Sequence, residues 1–259
     1  MNRLAGLVDR PFSAIFKIAF MPKNKTDHER SKQLSLPVAR TWGGARKGAG
    51  RPRNEGRDRR VSHLSRPSHA RSSPVHVTMR RAPLLPSFRQ RVVVAELEKS
   101  LQNASNGRYR VVHYSVQADH VHLIVEALDG LALSRGTQGL CIRLARAFNR
   151  VVRRRGKVWG DRFFARDLHS PREVRAGIVY VLMNHKKHAG DTRVARLDAY
   201  SSAAWFDGFI SRASTLVITL RDRLPTETIP VVRPRTWLLR EGWRRRGLIA
   251  PREQPAPAH

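Results

Sequence analysis

The pattern of apolar and polar positions predicts strands in the middle of the chain. Residues 75–80 (VHVTMR) alternate between apolar and polar side chains, the period of a strand with one buried face. Two further runs rich in β-forming residues, 109–116 and 120–127, are separated by three residues and are predicted to pair as a hairpin. Residues 158–169 are predicted to contain a short fourth strand and the segment that leads into it.

Three helices are predicted from apolar residues that recur every three to four positions. The first covers 87–101 and the second covers about 134–154. The third opens at Ser170, where the sequence SPRE combines a capping box with proline at the first helical position. Gly190 is placed to end this helix.

The order of these elements, β-α-β-β-α-β-α, predicts the fold class. It is that of an α+β, ferredoxin-like or RRM-like fold, an antiparallel sheet with helices packed on one face. This domain is expected to span 74–209. Residues 1–73 are predicted to be a basic, largely disordered extension, because residues 22–73 are rich in Arg, Ser, Gly and Pro. Residues 210–259 are predicted to be a basic tail with a Trp/Arg-rich helix.

Charge narrows the class of partner. The 259 residues include 50 Lys and Arg against 20 Asp and Glu, a formal net charge of +30. Such an excess attracts polyanions, of which nucleic acid is the usual one. No apolar run reaches the roughly 18 residues that a membrane-spanning helix needs, so no membrane is expected.

The chain is expected to act in the cytoplasm, associated with the nucleoid. Its one cysteine, Cys141, excludes an intramolecular disulfide and fits a reducing compartment. The first twenty residues are a poor targeting segment, because polar residues and a proline interrupt their apolar run. Met21 is an alternative start of translation.

The segment ADHVHLIVEA at 118–127 carries the first candidate chemistry. On a strand, His120 and His122 point to the same face, and Val121 points to the other. Two adjacent neutral imidazoles suit the chelation of a divalent ion. The alternative is a pair of half-exposed histidines with no ligand.

The third helix carries the second candidate. Tyr180 and Asn184 are four residues apart and are neighbours on one helix face. A phenol and a carboxamide in that arrangement could supply a nucleophile and a third metal ligand. The alternative is a core-edge tyrosine followed by an Asn-His-Lys-Lys cluster that solvates the helix end and complements its dipole.

Four segments together resemble the HUH single-tyrosine DNA transposases, and within them the REP-associated tyrosine transposases. HVH at 120–122 matches their histidine–bulky hydrophobic–histidine motif. WGDRFF at 159–164 is similar to their Trp-x-x-Arg-Phe-aromatic segment, YVLMN at 180–184 to their Tyr-x-x-x-Asn helix, and YSSAAW at 200–205 to the segment that follows. The resemblance covers a little over half the chain.

The resemblance implies a transposase that nicks and rejoins single-stranded DNA. His120, His122 and Asn184 would hold one Mg²⁺ or Mn²⁺, which would polarise the scissile phosphate. The Tyr180 phenolate would attack phosphorus and form a 5′-phosphotyrosine link, freeing a 3′-OH. Local positive charge, from Lys187 or the metal, is expected to help ionise the phenol, whose ordinary pKa is near 10.

The implied partners are single-stranded DNA hairpins, including palindromic repeats, and a homodimer is a further expectation. No ATP is needed, because the phosphotyrosine link conserves the phosphodiester energy. One departure is evident: the family's Asn-Pro is Asn184-His185 here. The ligand position is retained, but the end of the helix is expected to differ in shape.

Several basic residues are predicted to contact DNA. Those on the second helix are predicted to contact the DNA backbone, and the alternative is an ordinary solvated helix face. The RKGAGRPR segment resembles an AT-hook, with a generic basic linker as the alternative. In the tail, residues 237–246 interleave Trp and Arg, which either grip a hairpin or dock the tryptophans on the core. The predicted DNA-binding residues are Arg143, Arg146, Arg150, Arg153, Arg154, Arg155, Arg162, Lys187, Arg51 and Arg53.

Two other functions are compatible with parts of the sequence. A non-catalytic, domesticated nucleic-acid-binding protein would need only the positive charge and the sheet, but it leaves the paired histidines and the Tyr–Asn helix face unexplained. A zinc hydrolase using His113, His120 and His122 is disfavoured, because no carboxylate base stands at a convincing spacing.

Overall fold

A computed structural model describes residues 68–186, 197–210 and 229–255. The chain divides into two compact units at residue 57, and all the described residues belong to the second unit. Several predictions lie outside the described residues: the disorder of residues 1–67, the AT-hook-like Arg51 and Arg53, and the positions of Lys187 and Gly190. Residues 68–73, predicted as the end of the disordered extension, instead contact the sheet, where His69 Nδ1 lies 2.7 Å from an Asp167 oxygen.

The described residues contain four strands, four α-helices and two 3₁₀ helices. In chain order these are β1 (Val75–Arg80), α1 (Arg91–Gln102), β2 (Tyr109–Val116), β3 (His120–Ala127), α2 (Gly130–Val151), β4 (Phe164–Asp167), α3 (Pro171–Met183), a 3₁₀ helix (Ser202–Trp205), α4 (Trp237–Arg240) and a second 3₁₀ helix (Gly242–Arg246).

The strands form one antiparallel sheet in the order β2-β3-β1-β4. This is the strand order of a ferredoxin-like βαββαβ repeat, so the predicted α+β fold class is confirmed. The pairing of β2 with β3 is interrupted by a register shift between Val111 and His113.

The two faces of the sheet are covered by different helices. Val75, Val77 and Met79 of β1 belong to a core that also contains the apolar stripes of α1 and α2. The alternate face carries Ile124, which packs in a second core with residues of α3. The prediction of helices on one face therefore describes α1 and α2, while α3 covers the opposite face.

The helix boundaries differ from prediction where local capping decides them. The second helix begins earlier than predicted, because the Asp129 carboxylate accepts the Ala132 N–H at 2.6 Å and caps it. It also ends earlier, at Val151, and Arg153 beyond it adopts a left-handed φ of 49°. The first helix begins at Arg91 rather than 87.

The start of α3 follows the predicted capping box with one change. The Ser170 hydroxyl accepts the Glu173 N–H at 3.2 Å. The Glu173 carboxylate accepts the N–H of His169 at 2.7 Å, one residue before the usual partner. This hydrogen bond is the main cause that lowers the pKa of Glu173.

The C-terminal segment packs on α3. Trp243 is 1% exposed, lies in the same core as α3, and donates its indole N–H to the Leu239 carbonyl at 3.0 Å. Trp237 is 45% exposed, with the Arg245 guanidinium 4.9 Å from its ring centroid. Docking on the core, one of the two roles considered for the tail, therefore applies to Trp243 and not to Trp237.

Within the described ranges, none of the helices combines the length and the apolarity that crossing a membrane would require.

The different burial of the two tryptophans generates a stability prediction. Trp243→Ala is expected to lower the free energy of unfolding by about 3–5 kcal/mol, because it leaves a cavity beside α3. Trp237→Ala, the matched control, is expected to cost less than about 1 kcal/mol. Urea denaturation followed by circular dichroism measures both. Equal losses in the two variants would contradict the docking of the segment through Trp243.

Candidate functional site

The paired histidines of β3 lie on the sheet face that α3 covers. The ring centroids of His120 and His122 are 4.5 Å apart, and both side chains are buried. Val121, between them, points to the other face and packs in the core with α1 and α2. The strand thus presents two imidazoles side by side, as its two-residue period requires.

Helix α3 brings Tyr180 and Asn184 to the same place. The Tyr180 ring centroid lies 5.1 Å from that of His122. The Asn184 side-chain nitrogen lies 3.4 Å from His120 Nε2. Asn184 is buried, whereas Tyr180 is half-buried and so keeps part of its surface toward solvent. The four residues singled out on two distant segments therefore form one cluster.

Hydrogen bonds at Nδ1 orient both imidazoles. His120 Nδ1 lies 2.6 Å from Asp119 Oδ1, so this nitrogen carries the proton and Nε2 carries the lone pair. His122 Nδ1 lies 3.0 Å from the Thr78 hydroxyl and 3.2 Å from His76 Nε2. In both rings Nε2 is thus the nitrogen suited to bind a metal. A carboxylate behind a histidine is the usual way to fix a ligating imidazole.

The Asp119 carboxyl is held in its ionised form. Burial favours its neutral form, but the hydrogen bond from His120 and the charge of Arg80 contribute to lowering its pKa overall. An ionised Asp119 can therefore accept the His120 Nδ1–H at neutral pH.

Strand β1 contributes two residues that the sequence interpretation missed. His76 has its ring centroid 5.2 Å from that of His122 and 5.4 Å from that of Tyr180. Burial, with the charge of Arg166, lowers the pKa of His76 to about 4, so it is neutral at pH 7. The alternation of VHVTMR puts His76 and Thr78 on one face, and that pattern could have drawn attention to them.

The phenol of Tyr180 is under two opposing influences. Partial burial raises its pKa, and the positive charge of Arg80 lowers it in part. Arg80 ends β1 and stands opposite His120 in the strand register. The sequence predicted local positive charge from Lys187 or a metal. Among the described residues, Arg80 supplies it.

The donor set is compatible with a divalent ion but is not a conventional metal cluster. In the described part of the chain, no three His, Cys, Asp or Glu side chains converge to hold a metal. The set here is two imidazoles and the Asn184 carboxamide. Amide oxygen and nitrogen are told apart only by their hydrogen bonds, so a flip would put the amide oxygen near His120 Nε2. Imidazole and oxygen ligands together suit Mn²⁺ and admit Mg²⁺.

His113 does not join this cluster. Its Nδ1 lies 3.3 Å from the Ser202 hydroxyl, and its ring packs edge-on against Phe206. Complete burial lowers the pKa of His113 to about 4, with Asp207 opposing. The geometry therefore gives no support to a zinc site built from His113 and the β3 pair.

The predicted DNA-binding arginines of the second helix lie away from this cluster. Helix α2 packs on the sheet face opposite to α3, so its arginines are not brought beside Tyr180. Arg150 is 3.5 Å from Glu96, and Arg154, beyond the helix end, donates to the Asn149 side chain at 2.8 Å. Arg162 lies in the loop before β4. Arg146, Arg150, Arg153 and Arg155 are exposed, whereas Arg143, Arg154 and Arg162 are half-buried.

The remaining motif residues hold the framework together. The Trp159 indole N–H donates to the Cys141 carbonyl at 2.9 Å and ties the loop to α2. The Ser202 hydroxyl accepts the Tyr114 N–H at 3.1 Å and ties the YSSAAW segment to β2. Both segments thus support the sheet that carries the cluster.

Comparison with known proteins gives a distant likeness among solved structures. No family model and no curated protein matches the chain. Among solved structures, it is similar to a REP-associated tyrosine transposase bound to a REP hairpin, at 14% sequence identity. The match covers 52% of this chain and 79% of that chain, with a TM-score of 0.41.

Proposed function

We propose that this protein is a transposase-type enzyme that nicks and rejoins single-stranded DNA through a covalent phosphotyrosine. The observation that supports it is the convergence of one half-buried phenol, two oriented imidazoles and a buried carboxamide at one point of the sheet. A protein that only binds nucleic acid has no need of such a cluster. The net charge of +30 supports a nucleic-acid substrate.

In the proposed reaction, the Tyr180 oxygen attacks the phosphorus of a phosphodiester. The new bond joins the phenol to the 5′-phosphate, and the bond from phosphorus to the 3′ oxygen breaks. The phenol loses its proton, and the departing 3′ oxygen gains one, so the step is balanced. A 3′-OH can later attack the phosphotyrosine and reverse the step, which rejoins DNA without ATP.

Each neighbour has a role in this proposal. Arg80 stabilises the phenolate by its charge. Neutral His76 and Thr78 hold the His122 ring, and Asp119 holds that of His120. His120, His122 and Asn184 would hold Mg²⁺ or Mn²⁺, which when bound would supply Lewis-acid polarisation of the phosphate.

The proposed substrate is a single strand beside a DNA hairpin. A single strand can enter a half-buried site that a duplex cannot reach, and the exposed basic residues offer backbone contacts. The predicted DNA contacts are retained as part of this proposal, as is a homodimer. The residues concerned are Arg143, Arg146, Arg150, Arg153, Arg154, Arg155, Arg162, Lys187, Arg51 and Arg53.

The first prediction concerns the nucleophile. Purified protein incubated with single-stranded hairpin DNA and Mn²⁺ is expected to form a covalent adduct that migrates as a larger band in denaturing electrophoresis. Tyr180→Phe removes the attacking oxygen and is expected to abolish the adduct. Tyr200→Phe, a half-buried phenol outside the cluster, is the matched control and is expected to retain it.

Two results would overturn this assignment. An adduct that survives Tyr180→Phe would exclude Tyr180 as the nucleophile. Absence of any adduct across hairpins taken from the flanks of the gene would instead favour a non-catalytic DNA-binding protein.

The second prediction concerns the metal. Asp119→Asn weakens the carboxylate that orients His120 and is expected to reduce Mn²⁺ affinity about ten- to a hundred-fold. His120→Gln is expected to reduce it at least as much. His169→Gln, a histidine outside the cluster, serves as the control. Isothermal titration calorimetry measures the affinity without DNA, and equal affinities in all variants would exclude metal binding at this cluster.

The third prediction concerns pH. The charge of Arg80 favours the phenolate, so its removal in Arg80→Gln is expected to raise the pKa of Tyr180 further. The rising limb of the rate of adduct formation against pH should then move to higher pH. Arg80→Lys retains the charge and should leave the limb near its original position. Initial rates at saturating DNA test this, and a shift to lower pH in Arg80→Gln would contradict it.

A further inference from the structure

A basic cavity lies at the far end of β3 from the histidine pair. Its volume is about 480 Å³, within the range typical of ligand sites. Four arginines line it. One precedes β1, two lie at the start of β2, and one belongs to the C-terminal segment. These are Arg71, Arg108, Arg110 and Arg235.

The carboxylates around the cavity do not balance these arginines. Arg108 pairs with Asp129 at 2.8 Å, and Arg110 Nε lies 3.5 Å from a Glu126 oxygen. No carboxylate of the described residues pairs with Arg71 or with Arg235. The cavity therefore carries about two positive charges in excess.

The Glu126 carboxylate is already occupied by the backbone of the C-terminal segment. Its two oxygens accept the Arg235 N–H at 2.9 Å, and one of them accepts the Thr236 N–H at 2.7 Å. The same oxygen accepts the Thr236 hydroxyl at 2.9 Å. Glu126 thus anchors the segment that carries Arg235, and its oxygens have little hydrogen-bonding capacity left for the arginine side chains of the cavity.

The arginines are close enough to repel one another. Burial and then the charge of Arg235 lower the pKa of Arg110, and Glu126 opposes this only in part. The fold holds these like charges together by anchoring Arg235 through its backbone to Glu126. A bound anion would relieve the repulsion.

The chemistry of the cavity selects a phosphate group. Guanidinium groups bind phosphate oxygens through paired, charge-assisted hydrogen bonds. The side chains of Ala127 and Leu128 add an apolar wall that suits the sugar or base attached to a phosphate. Arg71 and Arg235 are exposed, so such a group can reach them from solvent.

The position of the cavity relates it to the nucleophile. Glu126 lies on the same sheet face as His122, four residues along β3, which is roughly 13 Å. Stacked nucleic acid advances roughly 3.4 Å per nucleotide in each strand. The direct distance from the histidine pair to the cavity therefore corresponds to about four nucleotides, and because α3 covers the sheet face between them, a strand that reaches both has to pass around α3 and needs more.

We propose that this cavity binds a phosphate group of the same nucleic-acid strand that is cleaved at Tyr180, several nucleotides from the scissile phosphodiester, with Arg71 and Arg235 as its main contacts. The identification of the strand as the source of the phosphate rests on the proposed function. The affinity of the cavity for a phosphate group does not, because it follows from the arginines alone.

The test measures binding without chemistry. All proteins carry Tyr180→Phe, and the buffer contains a chelator. One variant adds Arg71→Gln and Arg235→Gln. The matched control adds Arg91→Gln and Arg135→Gln, two exposed arginines on α1 and α2, with the same loss of charge. A labelled hairpin with a single-stranded extension reports strand binding by fluorescence anisotropy at several salt concentrations, and calorimetry reports the binding of inorganic phosphate.

The Arg71/Arg235 variant is expected to bind the hairpin about tenfold more weakly than the control. The slope of log affinity against log salt should fall in magnitude by about 0.7 for each phosphate that the variant no longer neutralises. Loss of inorganic phosphate binding alone, with unchanged hairpin binding, would identify a free phosphate compound as the ligand and overturn the strand assignment. Unchanged binding of both would overturn the cavity.

The outcome is separable from that of the proposed function. If no covalent adduct forms but the Arg71/Arg235 variant still loses affinity, the cavity stands and the enzyme assignment fails. If the adduct forms and the variant binds like the control, only the cavity is excluded.

Discussion

The antiparallel register of β1 with β3 is the constraint on which the candidate site depends. This register sets Thr78 opposite His122 and Arg80 opposite His120. It therefore brings the hydroxyl that orients one imidazole, and the charge that acts on the phenol, to the histidine pair. A shift of one residue would move every side chain of β1 to the other face and bury the polar residues among the apolar side chains of α1 and α2.

The second requirement is that α3 docks on the histidine face. Ile124, between the histidine pair and Glu126, packs with the apolar side of α3, and this contact sets how far Tyr180 stands from His122. The C-terminal segment then packs on α3 through Trp243. A segment far along the chain from the cluster thus stabilises the helix that carries the proposed nucleophile, and the same segment brings Arg235 to the basic cavity.

The basic residues of the molecule differ in whether they can reach a phosphate bound at the histidine face. The arginines of α2 lie on the other side of the sheet from Tyr180 and are separated from it by the core. Arg80 and the cavity arginines are fewer, but strand pairing and backbone anchoring hold them in place on or beside the histidine face. Position relative to the sheet, more than number, decides which of the basic residues can act on a phosphate bound there.

The sequence by itself determined the order of the strands and helices, and it identified four residues of the cluster. The bounds of β1, β2 and β3 follow from alternation and turn residues, and the two-residue and four-residue spacings put the histidines on one face and Tyr180 with Asn184 on one stripe. Only the tertiary structure decided which face α3 covers, and that His76 and Arg80 join the cluster. These contacts link residues more than forty positions apart, so they depend on strand register and helix docking, which local periodicity does not encode.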